Sequence, residues 1–196
     1  HEAVDCAFDT DIIEKLIRLG SDINCKDENA LTPLHIACET DHNGNFEKLI
    51  EFGADINCVD CFGWTPLHFA CIKGNRVKFE KLIALGADIN NSGGGDTPFS
   101  LCCGKENLDF ALKLLEMGVD INCKDRSEMT PFLHACEDGK VELFEKLIEW
   151  GADIHCLDFQ GRNALHHTCK PHLIDIFSKL IELGVDLNCR DVKGWS

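Results

Sequence analysis

Thirteen cysteines and nine histidines stand among 196 residues, and these two residue types supply many nucleophiles, general bases and soft metal ligands. Spacing decides whether they do so here. Cys58-x-x-Cys61 has the spacing of half a zinc site, but a structural site needs four converging N or S ligands. No second pair follows at a suitable distance. Cys102-Cys103 and His166-His167 are adjacent pairs in which one member falls on a repeating pattern. No nucleophile, histidine and carboxylate set stands outside that pattern. Gly93-Gly94-Gly95 lacks the Lys-Ser/Thr that would contact phosphates and Mg²⁺, and reads as a turn needing unusual backbone angles. The expectation is no enzyme, no cofactor and no metal.

The pattern that absorbs these residues is an internal repeat. Gly20-Ser-Asp-Ile-Asn-Cys25 recurs at Gly53, Gly86, Gly118, Gly151 and Gly184, in steps of 33, 33, 32, 33 and 33 residues. Thr32-Pro-Leu-His35 recurs as Thr65-Pro-Leu-His68, Thr97-Pro-Phe-Ser100, Thr130-Pro-Phe-Leu133 and Asn163-Ala-Leu-His166. Glu14-Lys-Leu-Ile17 returns three times unchanged and twice altered. Ten cysteines sit on this lattice: 25, 58, 123, 156 and 189 after the Asn position, and 38, 71, 103, 136 and 169 in the first helix. Equivalent residues in successive units stand about 8–10 Å apart, beyond the roughly 7 Å reach of a disulfide. The thiols are expected to be small buried fillers in a reducing compartment.

Each unit has a physical reading. Thr-Pro opens a short helix, because Thr can cap the free N–H groups and Pro fits the first helical position. Leu34, Ile36 and Ala37 give that helix a buried face. A second helix such as Phe46-Glu-Lys-Leu-Ile50 follows, apolar at i, i+3 and i+4. Gly53 ends it, since Gly takes a left-handed C′ conformation freely. The Asp-Ile-Asn-Cys stretch beyond is turn-rich and suited to a hairpin.

These strings resemble the ankyrin repeat almost letter for letter, over the entire chain. The resemblance implies a mainly α fold, a solenoid of antiparallel helix pairs with β-hairpin fingers. The chain is read as a single domain, 1–196, with full repeats at 27–59, 60–92, 93–124, 125–157 and 158–190. Residues 1–26 look like the end of an earlier repeat, with His1-Glu-Ala3 closing its first helix, and 191–196 open another. The family's Thr-Pro-Leu-His histidine ties neighbouring backbones together, a role expected of His35, His68 and His166. The resemblance also implies oxygen-dependent hydroxylation as a candidate modification at Asn24, Asn57, Asn90, Asn122 and Asn188, with His155 replacing Asn in one repeat.

Composition narrows the partner. Lys+Arg total 19 against 34 Asp+Glu, a net charge of -15, which disfavours a phosphate backbone and suits a basic partner or no particular one. No apolar run approaches the roughly 18 residues of a membrane span. The resulting expectation is a monomeric, intracellular module in cytoplasm or nucleus, part of a larger scaffold, adaptor or regulatory protein. It would bind a basic protein partner, with no nucleic acid and no membrane insertion. A structural spacer array is the alternative. Ankyrin domains vary and bind at hairpin tips and first helices, which points to Phe62 and Trp64 at one tip and Ile72 and Lys73 at the end of its first helix. Met129, Phe159 and Arg162 extend the row, and Glu137 and Asp138 give it an acidic helix end.

Overall fold

The computed structural model describes residues 10–40, 43–105 and 107–195, with side chains from residue 13 onward. The closing string of the first partial repeat, His1-Glu-Ala3, lies outside the described residues. The chain divides into two compact units, His1–Leu101 and Cys102–Ser196.

In the first unit, helix α1 (Thr10–Arg18) is followed by the pair α2 (Pro33–Glu39) and α3 (Asn43–Glu51), then by α4 (Pro66–Lys73) and α5 (Arg76–Ala84). A 3₁₀ turn at Gly93–Gly95 leads to α6 (Pro98–Gly104), the helix at which the two units divide. The second unit continues with α7 (Leu108–Glu116), α8 (Pro131–Asp138), α9 (Val141–Glu149), α10 (Ala164–Thr168) and α11 (Ile174–Glu182).

Helix starts follow the sequence closely. Thr32, Thr65 and Thr130 hold extended backbone just before a Pro at the first helical position. Asn163 replaces Thr ahead of α10, and its Oδ1 accepts the N–H groups of Leu165 and His166. Gly74 and Gly139 end α4 and α8 with φ of 66° and 72°, the left-handed region where a side chain would clash.

Packing runs from repeat to repeat. In the first unit α2 packs on α4, while α1 packs on α3 and α3 on α5; in the second, α8 packs on α10. Leu34, Leu67, Phe46, Phe79 and Leu82 are fully buried, each side chain contributing about 1.5–3 kcal/mol. Phe132 and Phe144 stack with centroids 5.5 Å apart in the second unit.

The fingers between helix pairs are loops, and no strand occurs among the described residues. Single backbone bonds join neighbouring tips: the N–H of Cys61 donates to Asn29 O (2.9 Å), Phe159 to Ser127 O (3.2 Å) and Val192 to Gln160 O (2.8 Å). One bond per neighbour is too few to make a ladder. Every described tip except that at Gly93 is instead closed by an aspartate, whose Oδ1 accepts two N–H groups, such as those of Phe62 and Trp64 on Asp60, both at 2.8 Å. Glycine allows two fingers to approach closely: a Cβ on Gly93 would lie 2.0 Å from Gly63 O.

Lysines cap the carboxyl ends of first helices from the following repeat. Lys78 is fully buried and its Nζ donates to the carbonyls of Ala37 (2.7 Å) and Thr40 at the end of α2. Lys140 reaches Gly104 O at 2.8 Å and Lys170 reaches Glu137 O at 3.4 Å. A cation there meets the negative end of the helix dipole as well as its free carbonyls.

Candidate recognition surface

The residues with chemical potential are mostly committed to architecture. The N–H of Thr32 donates to His35 Nδ1 at 3.1 Å, which leaves the proton on Nε2 to donate to Trp64 O at 3.0 Å in the next repeat. His68 does the same, accepting from Thr65 and donating to Asp96 O at 3.2 Å. His166 accepts from Asn163 and donates to Trp195 O, also at 3.2 Å. Burial pushes His35 and His68 below their ordinary pKa, and their backbone donors suit only the neutral ring. Ser100, in the histidine slot, bonds locally to Thr97. Leu133 fills the same slot with a buried apolar side chain.

Six of the ten lattice thiols are buried as expected, whereas Cys25, Cys123 and Cys189 are half-buried and Cys169 is exposed. Cys58 Sγ lies 3.2 Å from Thr32 Oγ1 and donates to Asp55 O at 3.0 Å, and Cys156 Sγ lies 3.2 Å from Thr130 Oγ1. Burial raises the thiols of Cys38, Cys103 and Cys136 far above the ordinary range, so they are poor nucleophiles. Cys61 is exposed while Cys58 is buried. Among the described residues, no cluster of three His, Cys, Asp or Glu could hold a metal ion. A cavity of about 180 Å³ in the second unit is lined by His166, Cys169, Phe177 and Asp186. Its histidine has both ring nitrogens engaged, and Cys169 Sγ donates to Leu165 O at 3.1 Å.

The surface residues expected from the sequence separate into accessible and occupied ones. Phe62 is 63% exposed at its tip. Trp64 is half-buried: its ring lies parallel to His68 at 6.1 Å and edge-on to Phe69 at 5.9 Å. Phe62 stands 6.4 Å from Trp64, so three rings form one cluster on the finger and first helix of repeat 60–92. Ile72 is half-buried, and Lys73 is exposed and bridges to Glu39 at 3.5 Å. Phe159 is 56% exposed in the second unit.

Met129 is 5% exposed and belongs to the core, because its side chain turns inward while its N–H serves the Asp125 turn. Arg162 spends its fork internally, with Nε at 2.8 Å and Nη2 at 2.7 Å from Asp158 Oδ2. Glu137 faces the buried His167 at 3.9 Å, and Asp138 pairs with Lys140 at 3.2 Å. Met129 and Arg162 therefore do not extend the accessible row.

A family model described as ankyrin repeats in three copies matches residues 1–93, 42–125 and 99–191. The chain belongs to the ankyrin-repeat family. Among solved structures it is similar to the human ASB11 ankyrin repeat domain, with a TM-score of 0.82, 26% identity, and coverage of 98% of this chain and 88% of that one. It is also similar in fold to the ankyrin repeat domain of Bcl-3, a member of the IkappaB family, with a TM-score of 0.79, 23% identity, and coverage of 95% and 85%. No curated protein matches the chain.

Within this ankyrin chain the sequence reading missed two groups. Phe69 looked like an ordinary helix residue, and it completes the aromatic cluster with Trp64. His134 and His167 occupy its equivalent places two and three repeats on, and both approach finger aspartates: His134 Nε2 lies 2.9 Å from Asp125 Oδ2, and His167 Nε2 lies 3.2 Å from Asp158 Oδ2. The spacing from Asp to this slot is nine residues in all three repeats, a signal that alignment of the units alone contains. The asparagine ladder is structural too. Oδ1 of Asn24, Asn57 and Asn122 accepts the N–H of Asp55, Asp88 and Asp153 from the next repeat, at 2.8–2.9 Å.

Proposed function

We propose that the chain is a non-catalytic protein-recognition module that binds a basic protein partner through the finger and first helix of repeat 60–92. Ankyrin repeats are in general protein-interaction modules. The observation that carries the assignment of a face is the cluster of exposed Phe62 with half-buried Trp64, Phe69 and Ile72. Partly accessible aromatics are the side chains that anchor interfaces. The net charge of -15 favours encounter with a cationic surface, and no helix among the described residues is long and apolar enough to cross a membrane.

The module acts as a monomer within a larger scaffold, adaptor or regulatory protein of the cytoplasm. The test is selection of peptides from a displayed library, followed by titration against wild type, Phe62→Ala and Phe159→Ala. Binding that falls at least tenfold with Phe62→Ala and less than twofold with Phe159→Ala supports this face. Selected peptides indifferent to Phe62→Ala would remove it. The acidic helix end gives a kinetic check: Glu137→Lys should slow association and leave dissociation nearly unchanged.

A further inference from the structure

Five fingers carry an aspartate in one lattice position, and its Oδ1 does the same work in each. Asp27, Asp60, Asp125, Asp158 and Asp191 each accept N–H groups from the residues two and four places on, at 2.7–2.9 Å. Their second oxygens differ. In the second unit, Asp125 Oδ2 meets His134, and Asp158 Oδ2 meets the Arg162 guanidinium and His167. In the first unit the places of those histidines are taken by Ile36 and Phe69, and the place of Arg162 by Leu31 and Trp64. No hydrogen bond or ion pair reaches Oδ2 of Asp60 among the described residues.

Asp60 is only 7% exposed, and a carboxylate so desolvated gains strongly from a cation. Its free oxygen is nevertheless reachable. The sealed, unbonded polar side-chain atom among the described residues is His167 Nε2, so Asp60 Oδ2 retains contact with solvent. Trp64 and Phe69, their rings 5.9 Å apart at 77°, hold the lattice places from which Arg162 and His167 approach Asp158 Oδ2. A carboxylate oxygen with aromatic rings in those places matches a guanidinium, which is planar, weakly hydrated and stacks on aromatic faces. An ammonium is held less well, because it keeps its hydration and cannot stack.

We infer that Asp60, with Trp64 and Phe69, receives an arginine side chain from the protein partner, in the way that Asp158 receives the chain's own Arg162. The inference rests on the recognition reading of repeat 60–92 and gives its partner a chemistry. Asp27, between Leu31 and Ile36, lacks the rings and is the poorer receptor.

The test uses the full chain, isotopically labelled, titrated with the peptide Ac-Ala-Leu-Arg-Leu-Ala-NH₂ and with its citrulline twin, which has the same shape and no charge. The arginine peptide should shift the Trp64 indole N–H and the Phe69 amide saturably, and the citrulline twin should bind at least tenfold more weakly. Asp60→Asn keeps the Oδ1 acceptor that closes the finger and should abolish the response. Trp64→Arg places an internal cation where Arg162 stands relative to Asp158, so this variant should fold and lose the response at the Phe69 amide. If either variant fails to fold, the other decides by the same readout.

Equal binding of the citrulline twin, an unaltered response in a folded variant, or shifts confined to the surroundings of Asp158 would overturn the inference. So would the absence of any saturable shift. Library peptides that need Phe62 but contain no arginine would leave the recognition face standing and sink the arginine receptor alone.

Discussion

Repeats 60–92 and 158–190 share a backbone pattern and differ in what they do with their outward row. Both close the finger through an aspartate Oδ1, and both tie to the next finger through a histidine, His68 or His166. The first then presents Trp64 and Phe69 and leaves a carboxylate oxygen with no donor among the described residues. The second presents Arg162, whose Nε and Nη2 both reach that oxygen, with His167 3.2 Å away. The difference shows that closing the finger takes one oxygen of the aspartate, and that the other is paired internally in one repeat and not in the other. Buried charge that is internally paired cannot also bind from outside without a cost of several kcal/mol.

The largest expected effect tests the capping lysines. Lys78→Ala takes a buried ammonium from the carbonyls of Ala37 and Thr40 and leaves a cavity, and should destabilise the first unit by about 3 kcal/mol. Lys170→Ala, whose partner is an exposed carbonyl at 3.4 Å, should cost within about 0.5 kcal/mol. Chemical denaturation of both variants checks the contrast, and equal losses would break it. Next comes Gly93→Ala, where a Cβ would lie 2.0 Å from Gly63 O. Forcing the two fingers apart should cost about 1–3 kcal/mol and disturb the Trp64 signals, while Gly161→Ala, with nothing nearer than 3.7 Å, should disturb only its own strained φ of 73°.

A third outcome separates binding from stability. Trp64→Ala should weaken partner binding more than tenfold, about 1.4 kcal/mol or more, and also lower the melting temperature because the ring packs on His68. Arg162→Met should leave binding unchanged and destabilise the second unit, because the buried Asp158 carboxylate loses its cation. Titration and melting of the same two variants decide whether the faces are as distinct as their side chains. The smallest effect is in acid. His35, His68 and His167 have folded pKa values lowered by desolvation, so the unfolded chain binds protons first as pH falls below about 6.5. The stability they contribute is complete above that value and is lost progressively below it. Thermal melts between pH 7.5 and 5.5 should decline steadily, and a melting temperature that rises toward pH 5.5 would contradict the neutral-histidine ties.

The sequence by itself determined the repeat, its period, the helix starts at Thr-Pro and the glycine stops. These are local: a cap, a fixed proline φ and an apolar stripe act within one or two turns of chain, and recurrence makes them unmistakable. It also determined that Phe62 and Phe159 would stand at finger tips. Tertiary structure decided which side chains at those places were free. Met129 and Trp64 occupy the same lattice position, yet Met129 is enclosed and Trp64 stays half-accessible on a stack of rings. Arg162 has the chemistry of an interface anchor, but a carboxylate four residues earlier holds its guanidinium. Phe69 lies on the proposed face with its ring 5.9 Å from Trp64 in its own repeat and 5.4 Å from His35 in the preceding one. Side-chain availability depends on what each residue packs against, within its repeat and across to the next, and residue type and period alone do not encode it.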